Sequence, residues 1–284
     1  MTDTVVSGES VSYASYDSGG SRAALVLLHG IGGTWHAWKP VLALLRPHHR
    51  VLALTLPGHD GGPDYAGGGD ATVSGIADQL VEDLRARGIP RAHVAGNSLG
   101  GWLALELARR GFAQSVVALS PAGGWRTASD YRAISLKFRI FHALMPVIRR
   151  LVWPFLRFAG FRRLLGKQTM EHGERVSAGE LRQSMRAMVR ARVFVPLLRS
   201  MGRDGPIEPL TAGEIPIRIA WGECDQVIPF ERYGVPVLER VDSAEATVVP
   251  GVGHVPMYDD PERVAVQILE VTAAADRRLA AASA

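Results

Sequence analysis

An α/β fold, with a mostly parallel central sheet flanked by helices and an inserted helical cap, is predicted by three observations. Short, continuously apolar runs recur along the chain, most of them leading into glycine-rich loops. Between them lie segments whose apolar residues keep helical spacing. One long stretch, residues 124–205, holds helical patterns and no strand-like run. Runs that are apolar at every position fit strands covered by helices on both faces, and strands alternating with helices favour a parallel sheet.

Taken in order, Val5 to Tyr16 alternates loosely and ends in Asp17-Ser18-Gly19-Gly20, a short strand or hairpin with a turn. Ala23 to Leu28 is the first buried strand and leads into His29-Gly30. Val51 to Leu54 is the second, followed by the loop Pro57-Gly58-His59-Asp60-Gly61-Gly62. Thr72 to Arg87 has Val73, Ile76, Ala77, Leu80, Val81 and Leu84 on one helical face. Thr72 or Ser74 is its cap, and Gly88 with Pro90 ends it. His93 to Gly96 is a strand and Leu99 to Arg110 a helix stopped by Gly111. Ser115 to Leu119, Ile217 to Trp221 and Ala246 to Val249 are further strands. Pro261 to Arg278 is the last helix, running into an Ala-rich tail expected to fray. Residues 1–123 and 206–284 thus form the α/β core and 124–205 the cap. Pro146 and Pro154 are expected to cut the cap helices into short pieces, and Met170 to Arg192 reads as a second cap helix or pair.

Composition sets outer limits. The chain has 284 residues, 47% hydrophobic and 21% charged, ordinary for a globular protein. Cys224 is its single cysteine, which excludes an internal disulfide and a thiolate metal cluster. The first ten residues lack the basic and apolar regions of a secretory signal, and charges interrupt every apolar stretch. A cytoplasmic location is the expectation. The net charge of +4 is unevenly spread. Residues 124–205 hold seventeen Lys and Arg against five acids, a net +12, so the rest of the chain carries −8.

The chemistry centres on Gly96-Asn97-Ser98-Leu99-Gly100, a G-x-S-x-G pattern between a predicted strand and a predicted helix. A sharp turn there presents the Ser98 hydroxyl, and the following helix aims its positive end at developing negative charge. A serine hydroxyl needs a base, and the base an orienting group. Gly251-Val252-Gly253-His254 follows the last strand and offers His254. Trp221-Gly222-Glu223-Cys224-Asp225 follows the strand before it and offers Asp225, with Glu223 as competitor. For the oxyanion of acyl transfer, the N–H of Leu99 is one donor. His29-Gly30-Ile31-Gly32-Gly33 supplies the other, Ile31 first and Gly32 second, with His29 holding the loop. His48-His49 is no metal site, because adjacent side chains point apart.

Together, His29-Gly30, Pro57-Gly58-His59, Gly96 to Gly101, Trp221 to Asp225 and Gly253-His254 resemble the α/β-hydrolase superfamily. The resemblance covers about Ala23 to Gly124 and Gly213 to Val271, not the cap. It implies the α/β-hydrolase fold, the triad Ser98, Asp225 and His254, oxyanion donors Ile31 and Leu99, and chemistry with no metal and no organic cofactor. Relatives often continue Pro-Gly-His with Gly-x-Ser. Here Asp60-Gly61-Gly62-Pro63 follows, which predicts a longer, looser loop. Haloalkane dehalogenases and epoxide hydrolases of this fold use an aspartate nucleophile, and Ser98 argues against both.

Cleavage of a carboxylic ester with an apolar acyl part, through an acyl-enzyme on Ser98, is the leading function. Carbon–carbon bond hydrolysis of ring-cleavage products is an alternative, with Arg190 or Arg192 gripping a carboxylate. A thioesterase or acyltransferase is another, and a non-catalytic ligand-binding member the last. The cap mixes apolar side chains such as Phe138, Ile140, Phe141 and Leu144 with Arg139, Arg149, Arg150, Arg157, Arg162 and Arg163. Amphipathic helices packing on the core, with arginines in water, explain that pattern. The functional alternative is a hydrophobic acyl pocket beneath a cationic lid, which either makes weak contact with an anionic membrane surface or meets an acidic substrate. The expected partner is a small apolar ester or related acyl substrate, and no nucleic acid, since no binding motif accompanies the charge. A monomer and a homodimer both fit.

Overall fold

The computed structural model describes residues 15–211, 213 and 215–282; the expectation for Val5 to Ala14 lies outside them. Nine strands are present among the described residues. They are β1 (Ser15–Asp17), β2 (Ala24–Leu28), β3 (Arg50–Leu54), β4 (Ala92–Asn97), β5 (Ala113–Leu119), β6 (Leu210–Thr211), β7 (Ile217–Gly222), β8 (Val241–Asp242) and β9 (Glu245–Val249). Seven build one sheet in the order β1-β3-β2-β4-β5-β7-β9, parallel throughout except for β1. The pair β6–β8, two residues each, lies apart and is too short to leave a sequence period.

Side chains alternate across a strand, and here both faces are buried. Val26 and Leu28 of β2 join one apolar layer, Leu25 and Leu27 the other. In β5, Val116 and Ala118 face the first layer and Val117 and Leu119 the second. Helices α2 (Val73–Ala86) and α3 (Leu99–Arg109) cover the first face. Helices α1 (Lys39–Leu45) and α10 (Pro261–Ala282) cover the second. Thr72 caps α2, accepting the Gly75 N–H at 2.9 Å. Helix α10 stays helical to Ala282, beyond the expected end, because alanine is the best helix former.

Between β5 and β6 the chain forms α4 (Ala128–Val152), α5 (Ala159–Gly166), α6 (Ala178–Arg190) and α7 (Phe194–Asp204). Its two ends meet, since the Ile207 N–H donates to the Gly123 carbonyl at 2.9 Å. Short helices α8 (Val235–Leu238) and α9 (Pro256–Asp259) lie in the return to the core. One expectation for the insert is corrected. Pro146 does not break its helix: α4 runs 25 residues through it. An interior proline costs about 3 kcal/mol, but burial of Ser135 and Met145 and packing of Phe138 hold the helix before it, and Val152 packs against the cluster of Leu156, Met170, Val176 and Leu181 after it. Pro154 does end the helix. Met170 to Arg192 holds one α-helix, α6, preceded by a single tight turn at Gly173–Arg175.

Every functional candidate falls at the carboxyl edge of the sheet. Strand order reverses at β2, where β3 lies on one side and β4 on the other. Such a switch point opens a crevice beyond the strand ends, and it is flanked by the loops carrying Ile31 and Ser98.

Candidate active site

Ser98 sits between β4 and α3 with φ 57° and ψ −115°. A non-glycine residue held there is strained and needs surroundings that fix it. The Ser98 N–H donates to Leu119 O at 3.0 Å, and its carbonyl accepts from Trp102 and Ala122. The flanking glycines are required by space alone. A Cβ on Gly96 would lie 2.0 Å from Gly100 O, and one on Gly100 2.0 Å from Leu28 O. The bend brings the first turn of α3 so close to β4 and to the end of β2 that only hydrogen fits at Gly96 and at Gly100.

Asp225 and His254 are joined directly. His254 Nδ1 lies 2.7 Å from Asp225 Oδ2, and both residues are buried. Asp225 Oδ1 accepts the N–H groups of Val227 and Ile228 at 2.9 and 3.0 Å. Burial pushes the Asp225 carboxyl up, but His254, the Ile228 N–H and the Ser120 hydroxyl together hold it below the usual carboxylate value. The competitor Glu223 points elsewhere and accepts the Gly251 N–H at 2.9 Å.

The loop carrying His254 is held from several sides. Asn97 Nδ2, from the residue before Ser98, donates to His254 O at 2.8 Å. The Asp259 carboxylate accepts the Gly253 N–H at 2.8 Å. It also accepts the N–H groups of Glu171 and His172, at 3.1 and 2.7 Å, from the helical insert. The Val255 N–H donates to Thr169 O at 2.9 Å. Asn97, Ser120 and Asp259 are the positioning groups that sequence reasoning missed. Asn97 occupies a variable place in the G-x-S-x-G pattern, and Asp259 reads as a surface acid near a helix start, so neither carried a signal.

Ile31 and Leu99 line one cavity with Ser98. It measures about 550 Å³ including its mouth and lies between the sheet edge and α4, α7 and the loop after β7. Ile134 and Phe138 of α4, Leu198 and Met201 of α7, and Ile228 form its apolar wall; no charged side chain lines it. Leu99 is the first residue of α3, where N–H groups have no intrahelical acceptor. Gly30 packs against Ser98: a Cβ there would lie 3.2 Å from Ser98 Cβ. Gly32 instead meets Phe194 and Met188 of the insert.

His29 is fully buried, with Nδ1 2.7 Å from Gly30 O and Nε2 accepting the Leu56 N–H at 3.0 Å. That pair of bonds requires the neutral ring protonated on Nδ1. Burial, with His59 beside it, holds its pKa well below the ordinary value. The Pro57-Gly58-His59 loop is tight, not loose. Gly58 N–H donates to Pro63 O at 2.6 Å and Gly62 N–H to His59 O at 3.0 Å, and Gly58 abuts Val193. Its extra glycines fold it back on itself. Arg190 and Arg192 do not reach the cavity. They face acids of this same loop, Asp60 at 3.6 Å and Asp64 at 3.1 Å.

Comparison with known proteins gives a consistent outcome. Residues 25–267 match the model of the alpha/beta hydrolase family. Epoxide hydrolase EphH of Mycobacterium tuberculosis is 31% identical over 192 residues, 66% of this chain and 89% of that protein. Among solved structures, a thermophilic esterase from Thermogutta terrifontis superposes with a TM-score of 0.68 at 20% identity, over 92% of this chain and 93% of that one. A meta-cleavage product hydrolase from Pseudomonas fluorescens superposes with a TM-score of 0.66 at 19% identity, over 92% and 94%. At those identities the two structures speak for the fold.

Proposed function

This chain belongs to the α/β hydrolase family, and on that premise we propose that it is a serine hydrolase cleaving carboxylic esters with an apolar acyl part. The observation carrying the proposal is that Ser98, Ile31 and Leu99 share a cavity with apolar walls and no charged side chain. An acyl chain gains there by leaving water, whereas a charged substrate would lose its hydration without a partner.

In this mechanism Asp225 holds the His254 proton on Nδ1, leaving the Nε2 lone pair free as base. Ser98 Oγ gives its proton to Nε2 and attacks the ester carbonyl. The resulting oxyanion is stabilised by the N–H groups of Ile31 and Leu99. Collapse expels the alkoxide, which takes the proton from His254 and leaves as alcohol. Water, deprotonated by His254, then attacks the acyl-enzyme, and a second collapse returns Ser98 and releases the acid.

Two neighbouring readings fit less well. Carbon–carbon hydrolysis needs a grip on a substrate carboxylate, and the arginines suited to it are turned towards Asp60 and Asp64. Epoxide opening, the activity in the name of the mycobacterial relative, depends on a carboxylate nucleophile, because the ester it forms carries a carbonyl that water can attack. Ser98 attacking an epoxide carbon would leave an ether with no such carbonyl. A thioesterase or acyltransferase would share the first half of the mechanism.

The test is turnover of nitrophenyl esters of rising acyl length by the wild type and Ser98→Ala. Turnover that vanishes in Ser98→Ala and improves from acetyl to medium chains is expected. Ser98-independent turnover, or none on any ester by folded protein, overturns the reading.

A further inference from the structure

Helix α4 is apolar on two opposite sides. Its inner side carries Tyr131, Ile134 and Phe138, which line the cavity over Ser98. Its outer side carries Leu136, Ile140, Leu144, Val147 and Leu151, each between 51% and 66% exposed. At 3.6 residues per turn these five fall within an arc of about 80° and form a stripe about 22 Å long. Arg132, Arg139 and Arg150, all exposed, run along one flank of the stripe. Beyond the helix end, Trp153, Phe155 and Phe158 are also exposed, and the Arg182 guanidinium lies 4.7 Å from the Trp153 ring centre. Among the described residues, ten of the thirteen large apolar side chains left exposed fall between Leu136 and Leu164. Scattered exposed apolar residues need no explanation, but a concentrated patch does.

Charge identifies what would cover it. From Tyr131 to Met170 the chain holds nine Lys and Arg and not one Asp or Glu. A second copy docked on this face would bring two such cationic segments together with no carboxylate of their own to meet. We propose that the outer face of α4, continued by Trp153 and Phe158, docks on an anionic lipid bilayer. The stripe enters the boundary between headgroups and acyl chains, the flanking arginines meet lipid phosphates, and Trp153 sits at headgroup level. No helix among the described residues is long and apolar enough to cross a membrane, so the contact is one of surface. The same helix then has lipid on one side and the Ser98 cavity on the other. The docking face does not depend on the ester reading, because its test needs no turnover.

The experiment is flotation of the whole protein with vesicles of equal parts phosphatidylglycerol and phosphatidylcholine, and with phosphatidylcholine alone. Leu144→Asp/Leu151→Asp and Arg139→Glu/Arg150→Glu are run beside the wild type, after thermal unfolding shows all three equally folded. Binding of the wild type to the anionic vesicles, weakened by about 0.5 M salt, is expected. Each double variant is expected to lower the partition coefficient by roughly tenfold or more. Wild type that stays with the aqueous fraction at low salt overturns the proposal, as does equal binding by the variants. A wild-type dimer in equilibrium sedimentation that Leu144→Asp/Leu151→Asp dissociates also overturns it, by assigning the face to a second copy.

Discussion

The Asp259 carboxylate accepts the backbone N–H of Gly253, the residue before His254, at 2.8 Å. The same carboxylate takes two N–H groups from the insert, at Glu171 and His172. One buried side chain therefore clasps the histidine loop to the helices above it. Asp259→Asn keeps the shape but weakens charge-assisted bonds and turns an amide N–H towards a backbone donor. It is expected to cost about 1–3 kcal/mol of stability. Displacement of the loop is expected to lower kcat about 10- to 100-fold, with KM little changed. Urea unfolding and ester kinetics on one preparation check both; an unchanged kcat would show that the clasp does not position His254.

Backbone strain at Ser98 gives a second prediction. Its φ of 57° is unfavourable for serine and free for glycine. Ser98→Gly should raise stability by roughly 1 kcal/mol while abolishing turnover, whereas Ser98→Ala should abolish turnover without the gain. Comparing the melting of the two variants with that of the wild type separates strain from chemistry.

Asp225→Asn addresses the tautomer. The amide presents an N–H or a weaker acceptor to His254 Nδ1, so the ring no longer keeps its proton there. A fall in kcat of about 10⁴-fold at neutral pH is expected, with the fold retained. A fall under tenfold would mean that another carboxylate orients the base.

Buried histidines set the acid side of the stability curve. Burial pushes His49, with His93 beside it, and His59 down to about 4, and His29 well below its ordinary value. In the unfolded chain each titrates near 6.5. Between these values the unfolded state binds more protons, so stability rises with pH. The contribution is complete above about pH 6.5 and is lost as pH falls towards 4, about 2 kcal/mol for each of His49 and His59 between pH 7 and 5. Asp225, held low, adds its own loss only at more acid pH. Urea midpoints across this range should fall steeply, and His49→Gln should flatten the slope by close to one proton.

Much of the scaffold was written locally. Leu25 to Leu28 and Val51 to Leu54 are apolar at consecutive positions because both faces of the sheet are covered. Gly96 and Gly100 mark a bend that admits no side chain. The loops bearing Ser98, Asp225 and His254 could be read because each directly follows a strand, and parallel strands deliver their carboxyl ends to one edge. Folding decided the rest, because it depended on residues distant in sequence. The choice of Asp225 over Glu223 needed the approach of His254. Arg190 and Arg192 are turned from the cavity by Asp60 and Asp64, more than a hundred residues earlier. Pro146 stays helical because packing outweighs the bond it lacks. Most of all, α4 is apolar on both sides. Periodicity alone cannot say which side meets the core; only the placement of α4 against the cavity leaves Leu144 and Leu151 in water.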